Sequence, residues 1–180
     1  QAPVEMMTNG STPISRYYFQ PNVGGDYALM FGMLKHLREW DIQALAAGKK
    51  SVFDRSFIEM NTVGFDAMME EIDRTAWSDI HTHTGLSPEH LESLAKMYLD
   101  AKTAIFCWGM GITQHRHGTA NVHMLANLML ARGHIGRPGA GLAPIRGHSN
   151  VQGDRTMGIN ELPSTKLLDN IDRVFGIKSP

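Results

Sequence analysis

Thr103-Ala104-Ile105-Phe106-Cys107-Trp108-Gly109-Met110-Gly111 is a nearly unbroken apolar run of strand length that stops at glycine. Such a run predicts a buried parallel strand covered on both faces, rather than an alternating edge strand. Upstream, Ser87-Pro88-Glu89 is a strong helix start: a serine cap, proline at the first position and an acid in the first turn. Leu91, Leu94, Ala95 and Tyr98 line the predicted buried face of that helix, which ends near Ala101. Downstream, Thr119 to Ala131 is apolar on most faces and predicts a buried helix, with Gly133 and Gly136 suited to stopping it. Helix, strand, glycine loop and helix form the local order of an open α/β sheet, where ligands sit beyond the carboxyl ends of the strands. The expected fold class is therefore α/β: the helix-rich part of an open parallel-sheet, Rossmann-like cofactor-binding domain with a long Gly-rich loop tract.

Working outward, residues 1–23 hold three prolines and an Asn-Gly, and predict an extended entry with a short strand at Arg16–Phe19. Residues 24–102 read as mainly helical. Gly24-Gly25-Asp26 opens the first helix with Asp26 as N-cap, and the periodicity of Tyr27, Met30, Phe31, Leu34 and Leu37 carries it to about Trp40. Gly32 is a predicted close-packing point within it. Two shorter helices are expected at Asp54–Met60 and Phe65–Ile72, and a turn from Ser78 to Gly85. Residues 103–160 make a strand-loop-helix-loop region whose glycines and prolines beyond Arg137 predict an irregular tract. Residues 161–180 form a tail with a short helix at Leu167–Val174. The chain starts at Gln1 without methionine and reads as a partial domain, continuing into sequence outside these 180 residues.

Composition narrows the function classes. A chain of 180 residues, 42% hydrophobic and 19% charged, has enough apolar material for one packed core. Its formal net charge of −1 gives no global attraction to nucleic acid, so anion recognition must be local. The single cysteine, Cys107, excludes an intrachain disulfide and sits in apolar company, which predicts an inert buried thiol. No apolar run approaches the roughly 18 residues of a membrane span, and no basic-then-apolar leader pattern is present. A cytoplasmic location is the expectation from these features.

Two loops carry the candidate chemistry. In Gly109-Met110-Gly111-Ile112-Thr113-Gln114 the glycines let backbone amides approach a ligand, and the following helix start adds partial positive charge. Gln114 stands where the dinucleotide fingerprint has its third glycine, so a plain strand-to-helix turn is equally consistent. In Arg146-Gly147-His148-Ser149-Asn150-Val151-Gln152-Gly153-Asp154-Arg155, arginine offers a planar donor fork for a carboxylate or phosphate. His148 can transfer protons near neutral pH. The alternative is a surface loop in which Arg146 pairs with Asp154. The His81-Thr82-His83 and His115-Arg116-His117 pairs could chelate zinc or copper on one face of a strand, but carboxylate and cysteine partners at ligand spacing are lacking.

Three motifs then occur in order: Gly109 to His115; Gly133-His134-Ile135-Gly136-Arg137-Pro138-Gly139-Ala140-Gly141; and Pro144-Ile145-Arg146-Gly147-His148-Ser149-Asn150-Val151-Gln152-Gly153. Together they resemble the catalytic (alpha) subunit of molybdopterin oxidoreductases, the formate dehydrogenase alpha-like branch of the dimethyl sulfoxide reductase superfamily. The resemblance is strongest from about Thr103 to Gly158. It implies an internal fragment of a much longer enzyme, with molybdenum or tungsten held by two molybdopterin guanine dinucleotides. It also implies an iron–sulfur cluster and a metal-ligating cysteine or selenocysteine upstream, so no metal ligand is expected here.

Carried over by position, the resemblance makes Gly109, Gly111, Thr113, Gln114, His115, Gly147 and Asn150 cofactor-binding. Arg146 and His148 become catalytic. It implies two-electron oxidation or reduction of a small, formate-like anion, with an electron-transfer partner. Formate dehydrogenases of this group read Arg-Gly-Gln-Asn-Asn, where this chain has Arg146-Gly147-His148-Ser149-Asn150, so an ionisable ring replaces an amide. A non-catalytic nucleotide- or anion-binding α/β module is the competing expectation.

Overall fold

The computed structural model describes residues 15–179. Its scaffold is α1 (Asp26–Ala46), whose buried Met30, Phe31, Met33, Leu34 and Leu37 sit among neighbouring helices. The helix outlasts the expected end at Trp40, because no breaker intervenes before Gly48. Gly32 is a close-packing point: a Cβ there would lie 2.6 Å from Leu91 Cδ2 and 2.8 Å from Ile80 Cγ2. The N-cap is Gly25 rather than Asp26, with no side-chain cap bond. Asp26 falls in the first turn, where a carboxylate meets the positive end of the helix.

Short helices pack around this scaffold. In α2 (Arg55–Asn61) the Asp54 carboxylate accepts from the Phe57 amide at 3.1 Å, and α3 (Phe65–Arg74) follows the left-handed Gly64. A helix, α4 (Trp77–Thr84), replaces the expected turn over Ser78–Gly85. Ile80 and Thr84 bury themselves one turn apart, and Gly85, at φ 68°, ends the helix. As expected, α5 (Pro88–Asp100) starts at a Ser87 cap whose Oγ accepts from the His90 amide, and it buries Leu91, Ala95 and Tyr98.

The strand region follows as β1 (Ile105–Trp108), α6 (Met110–Thr113), α7 (Gly118–Ala131), β2 (Gly141–Pro144), α8 (Val151–Thr156) and α9 (Thr165–Phe175). The two strands are parallel, with Ile105 opposite Gly141 and Trp108 opposite Pro144. The chain is thus α/β, with nine helices and a small parallel sheet among the described residues. Phe106 packs on Tyr98, with ring centroids 5.1 Å apart, and joins the core. The opposite face is open: Ile105 is 58% exposed and Cys107 is exposed too. The expectations of a strand covered on both faces and of a buried thiol are therefore both corrected. The apolar run signalled a strand made to be covered on two sides, and these residues supply one.

Two further expectations change. Arg16–Phe19 forms no strand, and the entry before residue 15 lies outside the described residues. The tract beyond Arg137 is not wholly irregular, since it contains β2 and α8. The backbone of β2 is fixed by pairing with β1, a non-local contact that glycine content does not report.

Two polar devices tie the loops down. Asp41, fully buried at the C-terminal end of α1, accepts from Ser51 Oγ (2.6 Å), the Val52 amide (2.7 Å) and Arg55 (2.5 Å). Burial alone would raise its pKa, but these hydrogen bonds and the Arg55 charge outweigh it and hold the carboxyl below its ordinary value. Arg132 donates to the carbonyls of Val52 (2.5 Å) and Leu99 (2.9 Å), joining the loop before α2 and the last turn of α5 to the end of α7. Among the described residues no helix is long and apolar enough to cross a membrane.

Candidate functional site

Both strands point their carboxyl ends the same way, so the loops that follow them converge. Trp108 and Pro144 are opposite one another at the last register position, and the Ile145 amide extends the ladder by donating to the Trp108 carbonyl at 2.7 Å. Beyond that bond the loops part around a cavity of about 250 Å³. Gly109, Met110, Thr113 and Gln114 line one side, and Ile145, Arg146, Gly147 and His148 the other. Val151 closes it from the start of α8. The location agrees with the rule for open α/β sheets, in which a ligand lies where strands end and loops diverge.

The glycines keep this face low. A Cβ at Gly109 would have only the Ile145 carbonyl nearby, at 3.8 Å, and one at Gly147 only Met110 Cε, at 3.7 Å. Open space surrounds the corresponding position at Gly111. Met110 thus reaches across towards the Arg146 loop, and Gln114 Nε2 donates to its sulfur at 3.5 Å. Arg146 and His148 are both exposed, and among the described residues neither makes an ion pair or side-chain hydrogen bond. The alternative pairing of Arg146 with Asp154 does not occur. Asp154 instead accepts from Asn150 Nδ2 at 3.2 Å.

The structure brings six of the nine sequence-derived site residues to one cavity: Gly109, Thr113, Gln114, Arg146, Gly147 and His148. Gly111, His115 and Asn150 lie off its lining. Asn150 is the N-cap of α8, in the left-handed region at φ 58°, with its side chain folded over Gly153 and Asp154. His115 turns its Nε2 to the Gly111 carbonyl at 2.5 Å, with Asp26 Oδ2 at 3.9 Å. His81 stacks on Trp77 within α4, at a centroid distance of 5.6 Å. Among the described residues no three His, Cys, Asp or Glu side chains gather in a way that could hold a metal ion.

Sequence reasoning missed the apolar part of the lining: Trp108, Met110, Pro144, Ile145 and Val151. The signal was available, because residues at a strand's carboxyl end border any ligand an open sheet holds. It also missed Asn121, buried at 1% exposure, whose Nδ2 donates to the Ile112 carbonyl at 2.9 Å.

A guanidinium and an imidazole without side-chain partners among the described residues, a hydroxyl and an amide thus surround a cavity lined in part by glycine. Such a donor set fits a large, anionic, hydrogen-bonding group. Comparison with known proteins points the same way. The family model described as molybdopterin oxidoreductase matches residues 48–175. The whole chain is 48% identical to Protein YdeP of Escherichia coli K12, over 24% of that protein's length. It is 40% identical over 168 residues to the uncharacterized oxidoreductase Rv2900c of Mycobacterium tuberculosis, covering 93% of this chain and 21% of that one. Formate dehydrogenase H of Escherichia coli K12 is 35% identical over 117 residues, covering 65% of this chain and 16% of that enzyme. The chain therefore spans about a quarter of the length of the curated relatives it matches. On the match over residues 48–175, it belongs to the molybdopterin oxidoreductase family.

Proposed function

We propose that these residues form part of the cofactor-binding domain of an enzyme carrying molybdenum or tungsten on two molybdopterin guanine dinucleotides. The enzyme oxidises or reduces a small anion by two electrons. Residues outside these 180 would hold an iron–sulfur cluster, which would supply electron transfer to a partner. In the complete protein the two strands join an open, Rossmann-like parallel sheet. The observation that carries the reading is the Arg146 guanidinium, without an acid partner among the described residues, beside the cavity at the strand ends.

When bound, the metal–pterin group supplies the two-electron chemistry, and the protein supplies orientation and charge. Gly109 and Gly147 leave their backbones open to its polar edge, and the Thr113 hydroxyl and Gln114 amide add side-chain hydrogen bonds. Asn150 acts through the left-handed backbone it permits at the start of α8, and Gly111 through the open space that its missing side chain leaves. Arg146 holds the substrate anion with its two-pronged donor face. His148 gives or takes a proton at a ring nitrogen as substrate charge changes. The imidazole of His148, standing where the resemblance expects an amide, changes the hydrogen bonds that a substrate meets, and we favour a small anion other than formate.

The test is the complete protein, expressed in a molybdenum-replete host and assayed for metal and pterin. Both bound in stoichiometric amounts support the reading; neither bound ends it. Nucleotide bound without metal would favour a non-catalytic anion-binding module instead.

A further inference from the structure

His115 follows the Thr113-Gln114 pair in the loop, yet its ring faces away from the cavity lining and into the protein. The Nε2 atom has two neighbours, the Gly111 carbonyl at 2.5 Å and Asp26 Oδ2 at 3.9 Å. Both are acceptors, so in the neutral ring Nε2 carries the proton. One residue further on, the Ile112 carbonyl accepts from Asn121 of α7 at 2.9 Å. Asn121 is buried, and an amide nitrogen is the only group it can offer a carbonyl, so the orientation of its side chain is set. Consecutive carbonyls of the glycine loop are thus held by side chains from two directions.

The rest of the loop leaves little slack. The Ile112 amide donates to the Gly109 carbonyl at 3.2 Å, the Gln114 amide to Met110 at 2.8 Å, and the Gly118 amide to His115 at 3.0 Å. A Cβ at Gly118 would stand 2.1 Å from the Thr113 carbonyl oxygen, so α6 sits directly on the first turn of α7. Asp26 belongs to the first turn of α1, the central helix of the body.

We propose that Asp26, His115 and Asn121 are positioning residues that fix the Gly111 and Ile112 carbonyls. They thereby set the geometry that Thr113 and Gln114 present to the cavity. His115 is then no cofactor ligand: it acts through Gly111, and Asp26 acts through His115. This inference rests on the cofactor reading above for its functional consequence, but its structural claim stands apart from it.

The experiment uses the complete protein in its cofactor-free form, followed by amide hydrogen exchange over residues 110–118. His115→Leu removes the donor and should speed exchange at Ile112 and Gln114 about tenfold, the effect of losing one hydrogen bond. His115→Gln keeps an N–H at nearly the same reach and should restore protection. Asp26→Asn, which is isosteric, should give a smaller acceleration that disappears in the His115→Leu background, because the two act in series.

In the loaded protein His115→Leu should lower cofactor content while His115→Gln retains it. Unchanged exchange in His115→Leu, or equal acceleration by His115→Gln, overturns the proposal. So does an Asp26→Asn effect that adds fully to that of His115→Leu. A wild-type protein holding no metal or pterin would instead overturn the proposed function and leave the exchange result standing.

Discussion

The helical body and the segment from β2 onward follow opposite rules. In the body, α1, α5 and α7 bring Leu34, Leu37, Leu91 and Leu128 to full burial. Beyond β2, neither α8 nor α9 buries a residue. Yet α9 is a well-made helix, with Ser164 Oγ accepting from the Leu167 amide and Gly176 closing it in the left-handed region. Leu167, Leu168, Ile171, Val174 and Phe175 form one apolar stripe, and Val174 and Phe175 are 66% and 71% exposed. An eleven-residue helix is marginal without packing. Residue choice in the body is explained by volume, whereas in the later segment apolar groups such as Val174 and Phe175 stand exposed and Arg146 makes no ion pair among the described residues, although Arg155 pairs with Glu161. The buried core belongs to the first region, and the candidate cavity lies where the two meet, with Gly109, Met110, Thr113 and Gln114 on one side and Arg146, Gly147 and His148 on the other.

Substitutions should separate the two. Leu34→Ala empties a fully buried site in the central helix and should cost about 2–5 kcal/mol, read as a drop in the unfolding midpoint. A loss below about 0.5 kcal/mol, the scale of an ordinary surface change, would show that α1 is not the centre of the core. Asp41→Ala should come next, at about 3 kcal/mol, because it strands the Ser51 and Val52 donors and the Arg55 charge. Arg55→Ala should cost less, since that side chain is 43% exposed and two hydrogen bonds to Asp41 survive. The depressed Asp41 pKa adds a sign. Its contribution is complete above the ordinary value of 3.8 and is lost as pH falls through the lower folded value.

A smaller effect concerns two histidines, the buried His134 and the half-buried His36. Burial lowers the pKa of His134, helped by the Arg132 and Arg137 charges, and burial lowers that of His36 against the pull of Glu39 and Glu92. Below the ordinary value of 6.5 the unfolded chain therefore binds more protons than the folded one. Stability should be complete above that pH and decline as pH falls through it. His36→Leu should flatten part of this slope in denaturant titrations run from about pH 7 to pH 5, a window set by the ordinary histidine value. An unchanged slope would place the acid response elsewhere.

The same division explains what the sequence disclosed. Helix starts were largely legible: Ser87-Pro88-Glu89 marks a cap that the structure keeps, and the helix expected from Asp54 begins there, whereas the cap expected at Asp26 falls to Gly25. The strand at Ile105 was legible as a strand, but its open face was not, because an apolar run reports what a strand is made for and not what lies beside it here. β2 was hidden, since Gly141-Leu142-Ala143-Pro144 has no strand propensity and owes its conformation to β1. At the site, side-chain chemistry singled out Gly109, Thr113, Gln114, Arg146, Gly147 and His148, which the structure gathers around one cavity. The turn of His115 onto the Gly111 carbonyl was not legible, because the ring's choice of a backbone acceptor, with Asp26 nearby from eighty-nine positions earlier, is settled only in space.

Arg146→Lys tests the comparison at its narrowest point. The side chain is exposed, and among the described residues it makes no ion pair, so the unfolding midpoint should move by the equivalent of no more than about 0.5 kcal/mol. Lysine keeps the positive charge, and long-range attraction of an anion should survive. What lysine loses is the fixed fork that orients a planar anion through two parallel hydrogen bonds. In the complete enzyme turnover should therefore fall well beyond any loss of bound metal, which elemental analysis and single-turnover kinetics would measure side by side. Equal losses of metal and turnover would move Arg146 from substrate orientation to support of the loop. A large drop in the midpoint would erase the boundary between the two regions.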